Sequence, residues 1–141
     1  MVQQKVNWIY EQSTGNLYTG EGKFVETGYA GHGDGKNNPE KEKVKSVGPL
    51  PQGYYMAGWM LDDKHTGLGS VWLYPHPHNE MYGRGDFRVH GDNKRGDFSA
   101  SEGCIIMSWG VRKGILPGHV IQVVATYQTP SSTQQPTPST A

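Results

Sequence analysis

The chain holds a single cysteine, placed in Ser101-Glu102-Gly103-Cys104-Ile105, and a His-Gly pair, His90-Gly91, precedes it by fourteen residues. One thiol cannot form an internal disulfide, so cross-linking is not its role. An isolated cysteine is often a buried, inert one. The residues around Cys104 favour thiolate chemistry instead. Gly103 lets a substrate approach the backbone closely. The N–H groups of Gly103 and Cys104 can face a developing oxyanion. His90, at the end of the strand-like run Phe87-Arg88-Val89-His90, can accept the thiol proton and return it to a leaving amine. That help matters because a free cysteine titrates near ~8.5, leaving only a few per cent thiolate at neutral pH. The chemistry these residues suit is acyl transfer from an amide, without a metal.

The order His-then-Cys is informative. Papain-like peptidases place the nucleophile first and the histidine more than about a hundred residues later. His119 follows Cys104 too closely for that arrangement and is expected to open a strand as a structural residue. His76-Pro77-His78 invites a metal reading. However, neither a Cys pair nor H-E-x-x-H accompanies them, and Pro77 between them stiffens a turn. No metal and no cofactor are expected. His32 and His65 lie in loops and carry no signal, and Asp62-Asp63 reads as a turn.

The elements that must position these groups are mainly β. Val6-Asn7-Trp8-Ile9-Tyr10 reads as a strand, Ser13-Thr14-Gly15-Asn16 as a turn, and Leu17-Tyr18-Thr19 as the returning arm of a hairpin. Lys23-Phe24-Val25-Glu26 continues as a strand. Residues 31–38, rich in Gly, Asp and Asn, form a loop. Asn38 and Pro39 predict a helix start, with the helix ending near Gly48-Pro49 and its run Glu40-Lys41-Glu42-Lys43 facing solvent. Further strands are expected over 53–59, 70–74, 87–90 and 104–107, a helical turn over 108–113, and the clearest strand over 119–127, where Val120, Ile121, Val123 and Val124 are β-branched. Residues 91–100 join the two halves of the site as a polar loop. The domain is expected over 1–128. The Pro/Ser/Thr/Gln tail, 129–141, has too little apolar surface to fold.

At 141 residues, with 13 basic and 13 acidic side chains, the chain suits one modest domain. It has no basic excess of the kind nucleic-acid binders carry. No apolar run approaches the ~20 residues of a spanning helix, so neither nucleic-acid binding nor membrane insertion is expected. Met1-Val2-Gln3-Gln4-Lys5 does not read as a signal peptide.

The motif resembles that of the L,D-transpeptidase (YkuD-like) catalytic domain, in which His-Gly and a spacer lead to Ser/Thr-His-Gly-Cys. His90-Gly91-Asp92 matches the first half; Ser101, Gly103 and Cys104 match the second. Gly28-Tyr29, Gly35-Lys36-Asn37-Asn38-Pro39 and Gly48-Pro49-Leu50-Pro51-Gln52-Gly53-Tyr54-Tyr55 resemble the branch found among type VI secretion effectors. Together the matches span roughly residues 20 to 127. Glu102 replaces the family's usual His before Gly-Cys, and Ile106 stands where an Arg often binds the substrate carboxylate. Arg84, Arg88, Arg95 or Arg112 could take over that contact.

The resemblance implies an L,D-transpeptidase-like β-sandwich with one or two short helices. It also implies a cysteine L,D-carboxypeptidase or L,D-transpeptidase acting on peptidoglycan tetrapeptide stems and D-amino acids. Cys104 would be the nucleophile and His90 the base. Ser101, through its carbonyl or its hydroxyl, would hold the second imidazole nitrogen. Gly91, Asp92, Arg95 and Glu102 would lie near the substrate. An effector of this kind, made in the cytoplasm, would act in the periplasm of a target bacterium, with secretion machinery and a cognate immunity protein as partners. Two other readings share the fold: a cell-wall-binding module that has lost the chemistry, and a phage-type lysis enzyme.

Overall fold

The computed structural model describes residues 5–64, 67–92 and 101–129. The expected tail beyond Thr129, His65, Arg95 and the loop from 93 to 100 lie outside the described residues. Among the described residues nine strands form one mixed sheet: β1 (Trp8–Glu11), β2 (Asn16–Thr19), β3 (Phe24–Thr27), β4 (Tyr29–Ala30), β5 (Gly53–Asp63), β6 (Gly67–Pro75), β7 (Arg88–His90), β8 (Ile105–Ile106) and β9 (Val120–Val124). One short helix, α1 (Trp109–Gly114), follows β8, and two 3-10 turns span Gly33–Gly35 and Pro39–Lys41. The mainly β class expected from the sequence is therefore found.

The hydrogen-bonded order is β3-β2-β1-β9-β5-β6-β7-β8-β4. β3 and β4 stand at opposite ends of this order, yet only Gly28 separates them in sequence. The sheet therefore curls until its two edges meet, and the inner face closes over the core. Gly28 makes the corner: its N–H donates to the Gly15 carbonyl at 2.8 Å. A Cβ there would stand 1.8 Å from the Ile106 carbonyl oxygen, so no other residue fits. Tyr10, Leu17, Tyr55, Val71, Val89, Ile105, Ile121 and Val123 pack inside. Burying each large apolar side chain contributes about 1.5–3 kcal/mol against the entropy of ordering the chain.

Register settles which residues share a face. β8 pairs with β7 in parallel (Val89 with Ile105, His90 with Ile106) and with β4 antiparallel (Ala30 with Ile105, Tyr29 with Ile106). Paired residues point the same way and successive ones alternate. Ala30, Ile105 and Val89 thus form a row in the core, while Tyr29, Ile106 and His90 form a row on the other face.

The expected helix after Asn38 is a single 3-10 turn. Its start is as anticipated, with the Asn38 side chain accepting from the Glu40 N–H and Pro39 at the first position. Its continuation fails because the Glu42 carbonyl, which an α-helix would need for its ladder, accepts from the Arg84 guanidinium at 2.6 Å. Ser46 also turns into the left-handed region, at φ 65°.

Candidate active site

Cys104 directly precedes β8, at the end of a tightly held loop. Ser101, fully buried, does most of the holding. Its hydroxyl accepts from the N–H groups of Gly31 at 2.9 Å and Gly103 at 3.0 Å, and donates to the Cys104 carbonyl at 2.6 Å. Arg84 supplies a second clamp. Its guanidinium donates to the carbonyls of Glu42, Pro49, Gly48 and Glu102 at 2.6–3.2 Å and lies over the Phe87 ring. A third tie runs from the Leu50 N–H to the Gly103 carbonyl at 2.9 Å. Gly103 has φ 137°, and a Cβ there would come within 2.6 Å of Arg84 and 2.7 Å of Phe87. Both the backbone conformation and the space demand glycine.

The Cys104 sulfur accepts from the Arg88 N–H at 3.3 Å and lies 3.7 Å from the Asp86 carbonyl, to which the thiol can donate. Burial pushes the thiol above its ordinary range, while the Arg88 N–H and the charges of Arg88 and Arg84 pull it back. His90, also buried, sits on the neighbouring strand, two residues further along than Cys104 by register. That offset is about 7 Å along the strand direction, within reach of diagonal side chains. Among the described residues, no hydrogen bond joins the sulfur to the imidazole.

His90 Nδ1 lies 2.9 Å from the Gly91 carbonyl. A carbonyl can only accept, so this contact places the proton on Nδ1 and leaves Nε2 as a lone-pair base. The hydroxyl of Ser101 bonds Gly31, Gly103 and Cys104 and not the imidazole; the Gly91 carbonyl orients the ring. Burial lowers the His90 pKa below the usual imidazole range, with Arg88 and Arg112 adding to the shift and the Gly91 carbonyl opposing it. The resting pair is thus a neutral thiol and a neutral imidazole. Of the two N–H groups considered for an oxyanion, that of Gly103 is taken up by Ser101, which leaves that of Cys104.

The arginines separate by role. Arg84 is buried and committed to carbonyls. Arg88 stacks 3.8 Å over the Trp72 ring and pairs with Asp63 at 3.6 Å. Arg112, 8% exposed, donates from Nε and Nη1 to the carbonyls of Met107, Ser108, Leu68 and Gly69. Burial lowers its pKa and nearby Glu26 raises it. Asp92 accepts from the Tyr29 hydroxyl at 2.8 Å, and Glu102 is exposed.

His119 and His76 have other partners. His119 Nδ1 accepts from Trp8 Nε1 and the Leu116 N–H, ties that fix β9 to β1. His76 accepts from the His78 N–H. Among the described residues, no group of three His, Cys, Asp or Glu side chains is placed to hold a metal.

Sequence reasoning missed that Arg84 and Gly91 do the positioning. Arg84 works on the carbonyls of other residues and Gly91 through its own, and no side-chain pattern records a backbone carbonyl. A partial signal was present: Gly48-Pro49-Leu50, conspicuous as a motif, is the strip that meets both Arg84 and Gly103.

No curated protein and no solved structure gives a significant match to the chain. The family model of the Tlde1 domain does match, over residues 25–116. That stretch begins at β3 and runs past α1, and so takes in the corner at Gly28, both clamps, His90 and Cys104. The chain therefore belongs to the Tlde1 domain family, the L,D-transpeptidase-type effectors of type VI secretion that act on peptidoglycan.

Proposed function

We propose that the protein is a cysteine L,D-carboxypeptidase and L,D-transpeptidase that removes or exchanges the terminal D-alanine of tetrapeptide stems. The observation that carries this reading is the pairing of a clamped Cys104 with a buried imidazole whose Nδ1 proton is fixed on the Gly91 carbonyl, so that Nε2 is a base. Rotation of the Cys104 side chain away from Arg88 and toward His90 brings thiol and base together in the substrate complex. Nε2 then takes the thiol proton as the sulfur bonds to the carbonyl carbon of the stem's third residue. The Cys104 N–H stabilises the oxyanion. The C–N bond to D-alanine breaks, and the His90 proton goes to the departing amine. Water attacking the thioester gives a tripeptide, and a free D-amino acid gives an exchanged tetrapeptide. Either attack releases the thiol, with His90 relaying the proton. Hydrolysis and exchange both deplete cross-linking donors in the periplasm of a target cell. Secretion machinery and a cognate immunity protein would be the protein partners.

A second reading, a peptidoglycan-binding module without catalysis, is favoured by one observation: the resting sulfur faces Arg88 and Asp86. The deciding test uses purified tetrapeptide muropeptides with wild type and Cys104→Ala, with and without D-methionine. Mass spectrometry should show loss or replacement of D-alanine by wild type alone. Unchanged muropeptides with a folded wild type would favour the binding module.

A further inference from the structure

Where β5 begins and β6 ends lies a pocket of about 420 Å³, whose walls include Gln52, Tyr54, His76, His78 and Glu80. It takes in the His76-Pro77-His78 motif, which has no part in the chemistry at Cys104. Its frame is pinned. The Tyr54 N–H donates to Asn79 Oδ1 at 3.0 Å, and the Tyr54 carbonyl accepts from the His76 N–H at 2.8 Å and Asn79 Nδ2 at 2.9 Å. Gly53 has φ 139°, and a Cβ there would stand 2.2 Å from Asn79 Oδ1, so the amide occupies the space of a side chain. His76 Nδ1 accepts from the His78 N–H at 3.0 Å, and the two rings meet edge to face at 5.0 Å. Among the described residues, these bonds leave the Tyr54 hydroxyl, His76 Nε2 and the His78 ring nitrogens for a ligand. A preformed hollow of this volume, with ring faces and a few polar groups, has the build of a small-molecule site.

Register connects the pocket to the nucleophile. Tyr55 pairs with Pro75 and Met56 with Tyr74, so by alternation Tyr54, Met56, Trp72, Tyr74 and His76 share the outer face. Trp72 pairs with Arg88, whose N–H donates to the Cys104 sulfur. Tyr54, Met56 and Tyr74 are exposed. A strip of side chains thus runs from the pocket to Cys104. His76 is four residues beyond Trp72 and β6 is two strands from β8, a separation of roughly 16 Å along the sheet surface.

We propose that this pocket is a subsite for an uncharged N-acetylated sugar of the glycan strand that carries the stem peptide. Among the described residues no lysine or arginine lines it, so it is not built for an anion. Imidazole and phenol rings offer flat faces to a sugar ring, and Gln52, Glu80 and the imidazole nitrogens offer partners to hydroxyl and acetamido groups. The spacing fits as well. Three extended residues reach about 10 Å, and the ether link and the sugar supply the rest. The inference deepens the proposed activity and rests on it for the path of the stem, while the pocket's ligand is testable without turnover.

The test pairs binding with kinetics. Cys104→Ala is titrated with a trimer of N-acetylglucosamine and followed by NMR. Amide shifts at Gly53, Tyr54 and His78 are expected, saturating with a Kd of about 1 mM, and adding His78→Ala should weaken binding about tenfold. In wild type, a disaccharide tetrapeptide should show a KM about tenfold below that of the free tetrapeptide, the effect of one or two hydrogen bonds. Tyr54→Ala and His78→Ala, each checked by circular dichroism to be folded, should raise the first value toward the second. Absence of shifts at these amides would overturn the subsite, even in an active enzyme. So would equal KM values for the two substrates in wild type. Shifts in a protein that releases no D-alanine would leave the subsite standing and refute the proposed reaction instead.

Discussion

Ser101→Ala separates a residue that acts on the chemistry from one that holds Cys104 in place. The substitution strips three buried groups of their partner: the Gly31 and Gly103 N–H groups and the Cys104 carbonyl. Each unsatisfied group costs about 1–3 kcal/mol. A water in the vacated hydroxyl space recovers part of this, so a net loss of about 3 kcal/mol is expected. For a domain of this size that lowers Tm by roughly 10 °C. The assay is thermal unfolding by circular dichroism, paired with D-alanine release from tetrapeptides. Activity should fall about a hundredfold at a temperature where the variant is still folded, because a shift near 1 Å in the nucleophile is enough. The acid limb of the pH profile should stay where it is, since Gly91 and not Ser101 holds His90. An unchanged Tm with lost activity, or a displaced acid limb, would refute this account and place the hydroxyl on the imidazole or the substrate.

Four further outcomes follow from the same geometry. Arg84→Met should destabilise by at least about 3 kcal/mol, having lost four charge-assisted bonds, and Arg84→Lys should not rescue it because one ammonium cannot fork to four carbonyls; urea denaturation midpoints check both. His90→Ala should abolish D-alanine release while His119→Ala keeps it and loses only stability, and the reverse pattern would overturn the choice of base. Iodoacetamide labelling of the resting enzyme should be slow at neutral pH and accelerate only above the ordinary thiol pKa of about 8.5, since burial raises that of Cys104. Because the folded-state pKa of His90 is depressed, the stability it confers is complete above the unfolded value of about 6.5 and declines as pH falls toward the folded one. His90→Gln should flatten that part of a Tm-against-pH curve.

Much of this fold was legible because it is written in local pattern. The hairpin of β1 and β2, the β-branched run of β9 and the capped turn at Asn38 each declare themselves in a few adjacent residues. What could not be read was the closure of the sheet. Nothing in Thr27-Gly28-Tyr29 says that its two sides belong to opposite ends of a nine-stranded order, because the Ile106 carbonyl that forces glycine there lies far along the chain. The candidate site divides the same way. Cys104 and His90 were visible as residue types at a telling spacing, whereas the groups that aim them were not.

Those aiming groups account for the two sequence blocks that lie before the nucleophile. Asn37 sits in the left-handed region, at φ 51°, a conformation asparagine tolerates well. From there its backbone N–H donates to the Ala30 carbonyl, and its side-chain oxygen accepts from the Ala30 N–H. It thus completes β4 as a further strand would. Without it the outer edge of β4 is unpaired, and Gly31, the next residue, is a partner of Ser101. The Gly48-Pro49-Leu50 strip works from the other side, through Arg84 and Gly103. The Cys104 loop is therefore held between two segments that contain neither Cys104 nor His90. Substitutions at Asn37 or Gly48 should act on Cys104 through the backbone, lowering kcat and stability together and leaving KM for the stem peptide nearly unchanged. A rise in KM alone at either position would mean that these segments touch substrate.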